Sequence, residues 1–179
     1  SRIEDVLEQI ESVPKPTIAL LLGATAGGGA AIALACDMRI AGDNLRFGMP
    51  MARTLGNLLN AHNLTRLMEV AGPTLTFDLI YTGRLIGAEE AFRAGLVNQV
   101  VPVGAAEEHA TDLTSRISEN APLTLQLSKR MLTRIRSNRR AQIQDPTYEE
   151  LVEVVYSSDD FREGIAAFTE HRSPRWKGS

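Results

Sequence analysis

Hydrophobic residues in the first part of the chain follow a helical spacing and then form a short continuous run. Residues 2–12 place apolar side chains on one face of a helix, and Pro14 and Pro16 end that pattern. The run TIALLLGA, residues 17–24, does not alternate with polar residues, which predicts a short strand covered on both faces. Small residues dominate the next segment, GGGAAIALACD, which predicts a helix that packs closely against its neighbours. The chain is therefore predicted to begin as helix, buried strand and helix.

Short strands and helices alternate along the next part of the chain. MRIAG and LRFG are predicted strands around the turn sequence GDN. Residues 56–71 predict a helix with five leucine and methionine side chains turned inward: Leu58, Leu59, Leu64, Leu67 and Met68. Gly72-Pro73 breaks that helix and starts another that ends near YTG, and a short helix GAEEAFRAG and a strand LVNQVVP follow. This alternation predicts an α/β fold.

The pattern after Pro102 predicts helices alone. The predicted helices cover residues 104–119, 122–138, 147–157 and 159–172. Ser158 is the candidate N-cap of the last helix. In the second helix apolar residues recur at four-residue steps: Leu123, Leu127, Met131 and Ile135. We therefore predict two parts, an α/β unit over residues 1–103 and a helical segment over residues 104–179.

Composition excludes several classes of protein. The chain is 44% hydrophobic and 23% charged, which is typical of soluble globular proteins, and its net charge of −3 favours neither nucleic acid nor an anionic membrane as partner. Cys36 is the only cysteine, so no disulfide can form within the chain, which predicts a reducing, cytoplasmic location. The apolar runs are too short to span a bilayer, and the opening sequence is amphipathic and acidic, unlike a signal peptide.

Candidate chemistry lies where the apolar strand meets the helix of small residues. The glycines Gly27 to Gly29 leave the first N–H groups of that helix unpaired at the positive end of its dipole. Such a turn can bind a phosphate, a carboxylate or a developing oxyanion, although a tight connection for close packing would look the same. The spacing fits neither a dinucleotide-binding turn nor a P-loop. The first acidic residue afterwards is Asp37, which we expect to order the turn after the helix rather than to act as a catalyst.

A longer stretch around this turn resembles the enoyl-CoA hydratase/isomerase, or crotonase, family. KPTIALLLGATAGGGAAIALACDMRIAGDNLRFGMP has the family's order of Lys-Pro-led strand, glycine triplet, helix, Cys-Asp, strand and Phe-Gly-x-Pro. RLMEVAG, LIYTGRLIGAEEAFRAGLVNQVVP and FREGIAAFTEHRSPRW continue the match in order. The resemblance implies the C-terminal part of a ClpP/crotonase-like α/β spiral core over residues 1–103. It also implies that the N-terminal part of the fold, with a second oxyanion donor, is missing from this chain.

The resemblance further implies how the protein acts. In the family, an N–H at the position of Gly28 binds the thioester carbonyl of an acyl-CoA and stabilises an enolate, without a metal or a separate cofactor. The two glutamates of the hydratases fall on Ala31 and Met51, which cannot move a proton, so the hydratase mechanism and the single-glutamate isomerase mechanism are disfavoured. We expect a lyase or isomerase of fatty acid metabolism with other acid/base groups, performing isomerisation, decarboxylation, C–C cleavage or hydration. The alternative is a catalytically inactive subunit that binds acyl-CoA or serves assembly.

Candidate replacements for the glutamates lie in the polar stretch MPMARTLGNLLNAHNLTRL. Arg53 could clamp a substrate carboxylate or sulfonate, or it could form an ion pair. Histidine side chains titrate near neutral pH, so His62 could act as acid or base, or it could be a structural histidine. Asn57 could orient a water molecule or have a structural role only.

The resemblance implies two roles for the C-terminal helices. They join subunits into a homotrimer or homohexamer, and the last helix reaches the adenine and phosphates of CoA. Three residues match the CoA contacts loosely: Phe168, Arg172 and Lys177. Phe168 could instead pack in the core with Phe161 and Ile165.

A basic segment precedes these residues. KRMLTRIRSNRR, residues 129–140, holds six basic residues and no acidic one, so CoA phosphates or RNA are conceivable partners. The lack of interleaved aromatic residues and the negative net charge disfavour nucleic acid. A solvated face or a contact between subunits is the simpler interpretation.

Overall fold

The computed structural model describes residues 2–141 and 145–179, the side chain of Arg2 excepted. In chain order its helices are α1 (Arg2–Ser12), α2 (Gly28–Ala35), α3 (Met51–Thr54), α4 (Ala61–Thr82), α5 (Ala88–Arg93), α6 (Ala106–Ser118), α7 (Pro122–Ala141), α8 (Thr147–Ser157) and α9 (Asp159–Thr169). Its strands are β1 (Ile18–Leu21), β2 (Ala24–Ala26), β3 (Met38–Gly42), β4 (Arg46–Gly48), β5 (Ile86–Gly87) and β6 (Gln99–Val101).

The described strands form two three-stranded sheets, ordered β1-β3-β6 and β2-β4-β5. Neighbouring strands are parallel except for the pair β4 and β5, which is antiparallel. Ile18 lies opposite Met38 in the first sheet, and Ala24 lies opposite Arg46 in the second. Helices alternate with these strands up to β6, so the predicted α/β class is confirmed.

The single strand predicted over residues 17–24 is in fact two strands that belong to different sheets. Gly23 separates them with a φ of +68°, a left-handed conformation that glycine adopts without steric cost. The Gly23 N–H donates to the Asn44 side chain at 3.1 Å, and the Arg46 N–H donates to the Gly23 carbonyl at 2.8 Å. The predicted strands MRIAG and LRFG are β3 and β4, which also belong to different sheets. The chain thus crosses between the sheets at two points that are hydrogen-bonded to each other.

The largest group of buried apolar side chains joins both sheets to α2, α4 and α5. It includes Leu34, Phe47 and Leu67, and Ala30 and Ala33 let α2 approach closely, as its small residues predict. A second, smaller cluster packs α6 against the first sheet: Ile40, Val101, Ala106 and Leu113. The strands and helices around the glycine turn therefore rest on one continuous core.

The helix predicted over residues 56–71 begins later than expected. Residues 55–60 form a loop, and α4 starts at Ala61 because the Asn60 side chain caps it, accepting a 2.9 Å hydrogen bond from the Asn63 N–H. Leu67 is fully buried as predicted, but the inward position predicted for Met68 is wrong, since that residue is 44% exposed. Gly72, with a φ of +74°, kinks the helix where the break was predicted.

The C-terminal part is helical as predicted, from α6 to α9. Ser158 caps α9, its hydroxyl accepting from the Phe161 N–H at 3.0 Å, so the predicted N-cap is confirmed. The helix ends at Thr169, three residues before the predicted end at 172. The apolar stripe of α7 is exposed on this chain: Leu123, Leu127, Met131 and Ile135. Within the described ranges, no helix combines the length and hydropathy needed to cross a bilayer.

Buried ion pairs hold α7 against α1 and α4. The Glu11 carboxylate accepts two hydrogen bonds from Arg66 at 3.1 and 3.2 Å and two from Arg140 at 2.7 and 2.8 Å. Burial alone raises the pKa of Glu11, but these two guanidinium groups outweigh it and lower the pKa to about 2. Arg136 pairs with Glu69 on α4 at 2.9 Å. On one side of α7, Arg136 and Arg140 therefore form ion pairs with acidic residues of the same chain.

Candidate active site

The glycine turn is fixed to the end of β4 by hydrogen bonds. The Gly27 N–H donates to the Gly48 carbonyl at 3.3 Å, and the Gly27 carbonyl accepts the first bond of α2 from the Ala31 N–H at 3.0 Å. Gly27 has a φ of +54° and a ψ of −116°, a conformation that favours glycine. The turn therefore has a defined geometry, set by the pairing of β2 with β4.

The start of α2 is open in front of the glycines. Gly28 and Gly29 are exposed, and a Cβ placed on either would meet no other atom within 4 Å. The N–H groups of this first turn have no carbonyl partner within the helix, and the positive end of the helix dipole lies here. The turn can therefore donate to a carboxylate, a phosphate or a developing oxyanion. Gly28 is placed at the first helical position, where the sequence prediction puts the donor.

The two positions that the resemblance assigns to glutamates are part of the apolar packing. Ala31 is buried beside Leu7 of α1 and Ala35. Met51 opens α3 and is buried in the main core. Neither side chain has a group that can transfer a proton, and both side chains are buried, Ala31 to 4% and Met51 to 8% exposure. Proton transfer at these two positions is therefore excluded by both the residue type and its surroundings.

Arg53 lies on the short helix α3 and is exposed. Its Cβ and Cδ cover the backbone of Gly83, so little space remains for a side chain there. Within residues 2–141 and 145–179, its guanidinium forms no ion pair. The structure thus leaves the guanidinium of Arg53 available to a ligand.

His62 lies in the first turn of α4 and points toward α1. Its Nδ1 is 3.5 Å from a Glu4 carboxylate oxygen, and the side chain is 41% exposed. Arg66 contacts the same oxygen of Glu4 at 2.6 Å. No described contact joins His62 to Arg53, Asn57 or the glycine turn. This placement supports the structural alternative for His62.

One group of side chains in the described ranges has the spacing of metal ligands. Oxygen atoms of Glu4 and Glu8 and a ring nitrogen of His62 lie within 4.8 Å of one another. The buried guanidinium of Arg66 already pairs with Glu4, and its positive charge disfavours a cation at this place. The group fits an ion-pair cluster between α1 and α4 better than a metal centre.

Asn57 contacts a residue that the sequence analysis did not identify, Tyr156 of α8. The Asn57 amide nitrogen donates to the Tyr156 hydroxyl at 3.4 Å, while the amide oxygen is buried and has no hydrogen-bond partner in the described structure. Tyr156 also packs on Phe161, with ring centroids 4.7 Å apart. In the sequence Tyr156 is one apolar position of a helical stripe, 99 residues from Asn57, so no local signal marks its hydroxyl.

The predicted CoA-contacting residues lie around α9 and the C-terminal tail. Phe168 is 68% exposed, so the alternative of core packing for this ring is wrong. Arg172 binds Glu163 at 2.5 and 3.0 Å, which lowers the pKa of Glu163 to about 2. A cavity of about 370 Å³ lies here, lined by Asp159, Asp160, Glu163, Arg172, Arg175 and Lys177. Arg172 is thus paired with carboxylates, and the side chain of Lys177 is exposed.

Half of the basic segment faces acidic groups of the same chain. Lys129 pairs with Asp37 at 2.7 Å, and Asp37 also accepts from the Thr17 N–H at 2.7 Å, so Asp37 orders the turn after α2 as predicted. Arg136 and Arg140 pair with Glu69 and Glu11. The exposed basic residues of the segment are Arg130, Arg134 and Arg139. This arrangement supports a structural role for the basic helix.

Comparison with known proteins identifies the family of this architecture. The family model for enoyl-CoA hydratase/isomerase matches residues 1–179. A protein of Arabidopsis thaliana named "Probable enoyl-CoA hydratase 2, mitochondrial" is 38% identical over 173 residues, which are 95% of this chain and 56% of the relative. The 2,3-dehydroadipyl-CoA hydratase of Escherichia coli K12 is 35% identical over 172 residues, 95% of this chain and 66% of the relative. The chain thus spans about three fifths of the length of these two relatives.

A solved structure gives the same result for the fold. Methylmalonyl-CoA decarboxylase in complex with 2-nitronate-propionyl-CoA superimposes with a TM-score of 0.88 and 30% sequence identity, covering 99% of this chain and 68% of that protein. These matches confirm the resemblance carried by the glycine triplet and the segments that follow it. With its crotonase-like fold, the chain belongs to the enoyl-CoA hydratase/isomerase family.

Proposed function

We propose that the protein acts on an acyl-CoA thioester and stabilises an enolate with the N–H at Gly28. One observation carries the proposal: the donor end of α2 is open, while Ala31 and Met51 are packed in apolar clusters. The N–H donors that can bind an oxyanion are therefore present, whereas the two glutamates that transfer protons in the hydratases are replaced by apolar residues. A donor of this kind contributes about 2.7–4 kcal/mol to transition-state stabilisation.

Decarboxylation of a 2-carboxyacyl-CoA suits this arrangement best. The bond between Cα and the carboxylate carbon breaks, CO2 leaves, and the electron pair moves into the thioester to form the enolate. The enolate oxygen then accepts a hydrogen bond from Gly28, and water returns a proton to Cα. No base is needed to remove a proton from Cα, which agrees with an apolar residue at both glutamate positions. The structural similarity to a methylmalonyl-CoA decarboxylase supports the same reaction class.

Hydration or isomerisation of an enoyl-CoA with acid/base groups other than glutamate is the second candidate. The names of the relatives favour it, since both are enoyl-CoA or dehydroadipyl-CoA hydratases. Arg53 of α3 and Asn57 of the loop that follows would then be the candidates that replace the glutamates. His62 is the weaker choice for a catalyst because Glu4 holds it toward α1.

The experiment incubates the intact protein in D2O with methylmalonyl-CoA or with crotonyl-CoA and identifies the products by mass spectrometry. Decarboxylation predicts propionyl-CoA that carries one deuterium at Cα, and no change in crotonyl-CoA. Formation of 3-hydroxybutyryl-CoA instead would support the second candidate. Binding of both thioesters without any product or deuterium exchange would favour a catalytically inactive acyl-CoA-binding subunit.

We also propose that the protein is a homotrimer or homohexamer. The apolar stripe of α7 supports this, because Leu123 and Met131 are each 66% exposed on the single chain. Sedimentation equilibrium of the intact protein measures the oligomeric state. A monomer at micromolar concentration would contradict the proposal.

A further inference from the structure

The residues after α9 fold back along the helix that they follow. His171 makes the reversal with a φ of +54°, and it is the single non-glycine residue with a positive φ among the residues that the structure describes. The His171 N–H donates to the Phe168 carbonyl at 3.3 Å, and the Arg172 N–H donates to the Ala167 carbonyl at 3.0 Å, which closes the end of the helix. Residues 172–179, which we call the strap, then run back to the first turn of α9.

Backbone hydrogen bonds attach the strap to the first turn of α9. The Lys177 and Gly178 N–H groups donate to the two oxygens of the Asp160 carboxylate at 2.6 and 2.9 Å. The Ser179 carbonyl accepts from the Asp159 and Asp160 N–H groups at 2.8 and 3.1 Å, and these two donors have no partner within the helix. One carboxylate and one helix end thus hold this part of the strap.

Glu163 provides the second attachment of the strap. Its carboxylate accepts from the Arg172 guanidinium at 2.5 and 3.0 Å and from the Arg175 N–H at 2.8 Å. Every residue of the strap except Pro174 is exposed. Water and dissolved ions screen exposed charges, so such contacts are individually weak and depend on ionic strength. No strap residue belongs to the buried apolar clusters, so the attachment lacks the burial that stabilises the core.

Trp176 connects the strap to the loop over residues 55–60. A Cβ at Gly56 would lie 3.0 Å from the nearest ring carbon of Trp176 and 3.2 Å from the Asp160 carbonyl oxygen. Gly56 has a φ of +63°, and its N–H donates to the Met51 carbonyl at 2.8 Å. The ring thus covers the backbone of the loop while it remains 40% exposed itself. The strap that Asp160 holds therefore closes over the connection between α3 and α4.

We propose that the strap is a latch that opens and closes on this loop while the rest of the molecule stays folded. In the closed state Trp176 lies on Gly56 and Asp160 binds the strap backbone. In the open state the ring moves into solvent, and the loop keeps only its contact with α9, where Leu55 faces Gly164. Segments with few buried apolar contacts open at a lower free energy than the core, which separates this motion from global unfolding. The latch is independent of the acyl-CoA reaction proposed above.

Trp176 is the only tryptophan of the chain, so its fluorescence reports the position of the strap. The intact protein is titrated with KCl up to about 1 M, where charges are screened beyond about 3 Å, and far-UV circular dichroism is recorded in parallel. The wild-type emission should shift to longer wavelength while the dichroism stays constant. Asp160→Ala should show the shifted emission already at low salt. Asp159→Ala is the matched control and should behave as wild type, because the Asp159 carboxylate pairs with Arg162 instead of the strap.

Amide hydrogen exchange tests whether the strap acts on the loop. The Gly56 N–H keeps its acceptor, the Met51 carbonyl, in every variant, so a faster exchange of this amide reports motion of the loop. In Asp160→Ala it should exchange about tenfold faster than in the wild type, since a hydrogen bond to a charged group is worth at least this factor. The amide of Ile40, buried in β3, should exchange at the same rate in both proteins.

A wild-type emission maximum that stays constant in salt, and that changes in urea only together with the dichroism, would make the strap a fixed part of the fold and overturn the proposal. This measurement decides the question even if Asp160→Ala does not fold. Emission of folded Asp160→Ala equal to that of the wild type would overturn the proposal as well. So would a shifted emission with unchanged exchange at Gly56, because the strap would then open without any effect on the loop.

Discussion

Gly28 and Gly29 lie at the start of α2 with open space where a side chain would project. Because both glycines are exposed, a substitution there changes access to the start of the helix without disturbing the core. The opposite holds for Ala31 and Met51, whose side chains are packed. Substitutions at the exposed glycines therefore report on activity, whereas substitutions at Ala31 and Met51 would report on stability.

Gly28→Val is expected to lower the turnover of an acyl-CoA strongly while the protein stays folded. The added side chain would cover the N–H that we propose receives the thioester oxygen, and the loss of one such donor lowers kcat about 10²–10³-fold. Its urea midpoint should match that of Gly104→Val, since Gly104 is also exposed with no atom near its Cβ position. Retained activity in Gly28→Val would remove Gly28 from the site.

The ion pairs of Glu11 should make the free energy of unfolding depend on pH in the acid range. Its pKa is lowered from 4.5 to about 2 in the folded protein, so the carboxylate stabilises the fold above about pH 4.5 and this contribution is lost as the pH falls toward 2. The shift corresponds to about 3 kcal/mol at neutral pH. Urea unfolding should therefore show Glu11→Gln well below wild type at neutral pH, with the gap closing in acid.

Glu153→Gln supplies the control for that series, because Glu153 is an exposed glutamate in the middle of α8, away from the Glu11 cluster. Its unfolding free energy should follow the wild type at every pH. A gap between wild type and Glu11→Gln that stays constant from neutral pH down to about pH 2 would contradict the ion-pair assignment.

Among the elements, α9 packs directly against Leu55, the first residue of the loop over residues 55–60. Gly164 of α9 faces the backbone of Leu55, and a Cβ at Gly164 would overlap the Leu55 carbonyl. The helix and the loop therefore contact each other backbone to backbone, and the C-terminal helices position the segment that carries Asn57.

Gly164→Ala is expected to lower the unfolding free energy by about 1–3 kcal/mol, the usual cost of overpacking. Gly104→Ala is the matched change at an open, exposed position and should be neutral or slightly stabilising. Urea denaturation of both variants measures the difference. Equal midpoints for the two variants would show that α9 does not contact this loop.

Sequence patterns predict the helices of this chain better than its sheets. The spacing of apolar residues marks α1 and α7, the flanking glycines mark α5, and Ser158 marks the start of α9. The division of TIALLLGA into two strands depends on the conformation of Gly23 and on its bond to Asn44, which no local pattern records. The start of α4 at Ala61 could have been predicted from Asn60 as an N-cap.

In the candidate site, too, local features could be predicted from the sequence and tertiary contacts could not. Gly28 and the two positions that hold Ala31 and Met51 in place of glutamates can be identified from short sequence motifs, because each motif consists of residues that are adjacent in the chain. Tyr156 could not be predicted, since its contact with Asn57 joins residues that are 99 positions apart. The pairing of Lys129, Arg136 and Arg140 with acidic residues is likewise a property of the tertiary structure.

The molecule as a whole connects the glycine turn to distant helices through few, well-defined contacts. Gly27 is bonded to Gly48, the segment after Gly48 leads to Met51, and the loop after Met51 is held by α9 and Trp176. Buried ion pairs on Glu11 join α1, α4 and α7 elsewhere in the molecule. Hydrogen bonds thus fix both the open N-terminus of α2 and the carboxylate-free loop of residues 55–60 in place.

A crystal structure of the intact protein with an unreactive analogue of a 2-carboxyacyl-CoA tests the central claim most directly. The distance to measure runs from the thioester oxygen to the backbone nitrogen of Gly28. We expect about 2.7–3.1 Å, with no aspartate or glutamate carboxylate within about 3.2 Å of Cα. A thioester oxygen bound away from Gly28, or a carboxylate within that reach of Cα, would contradict it.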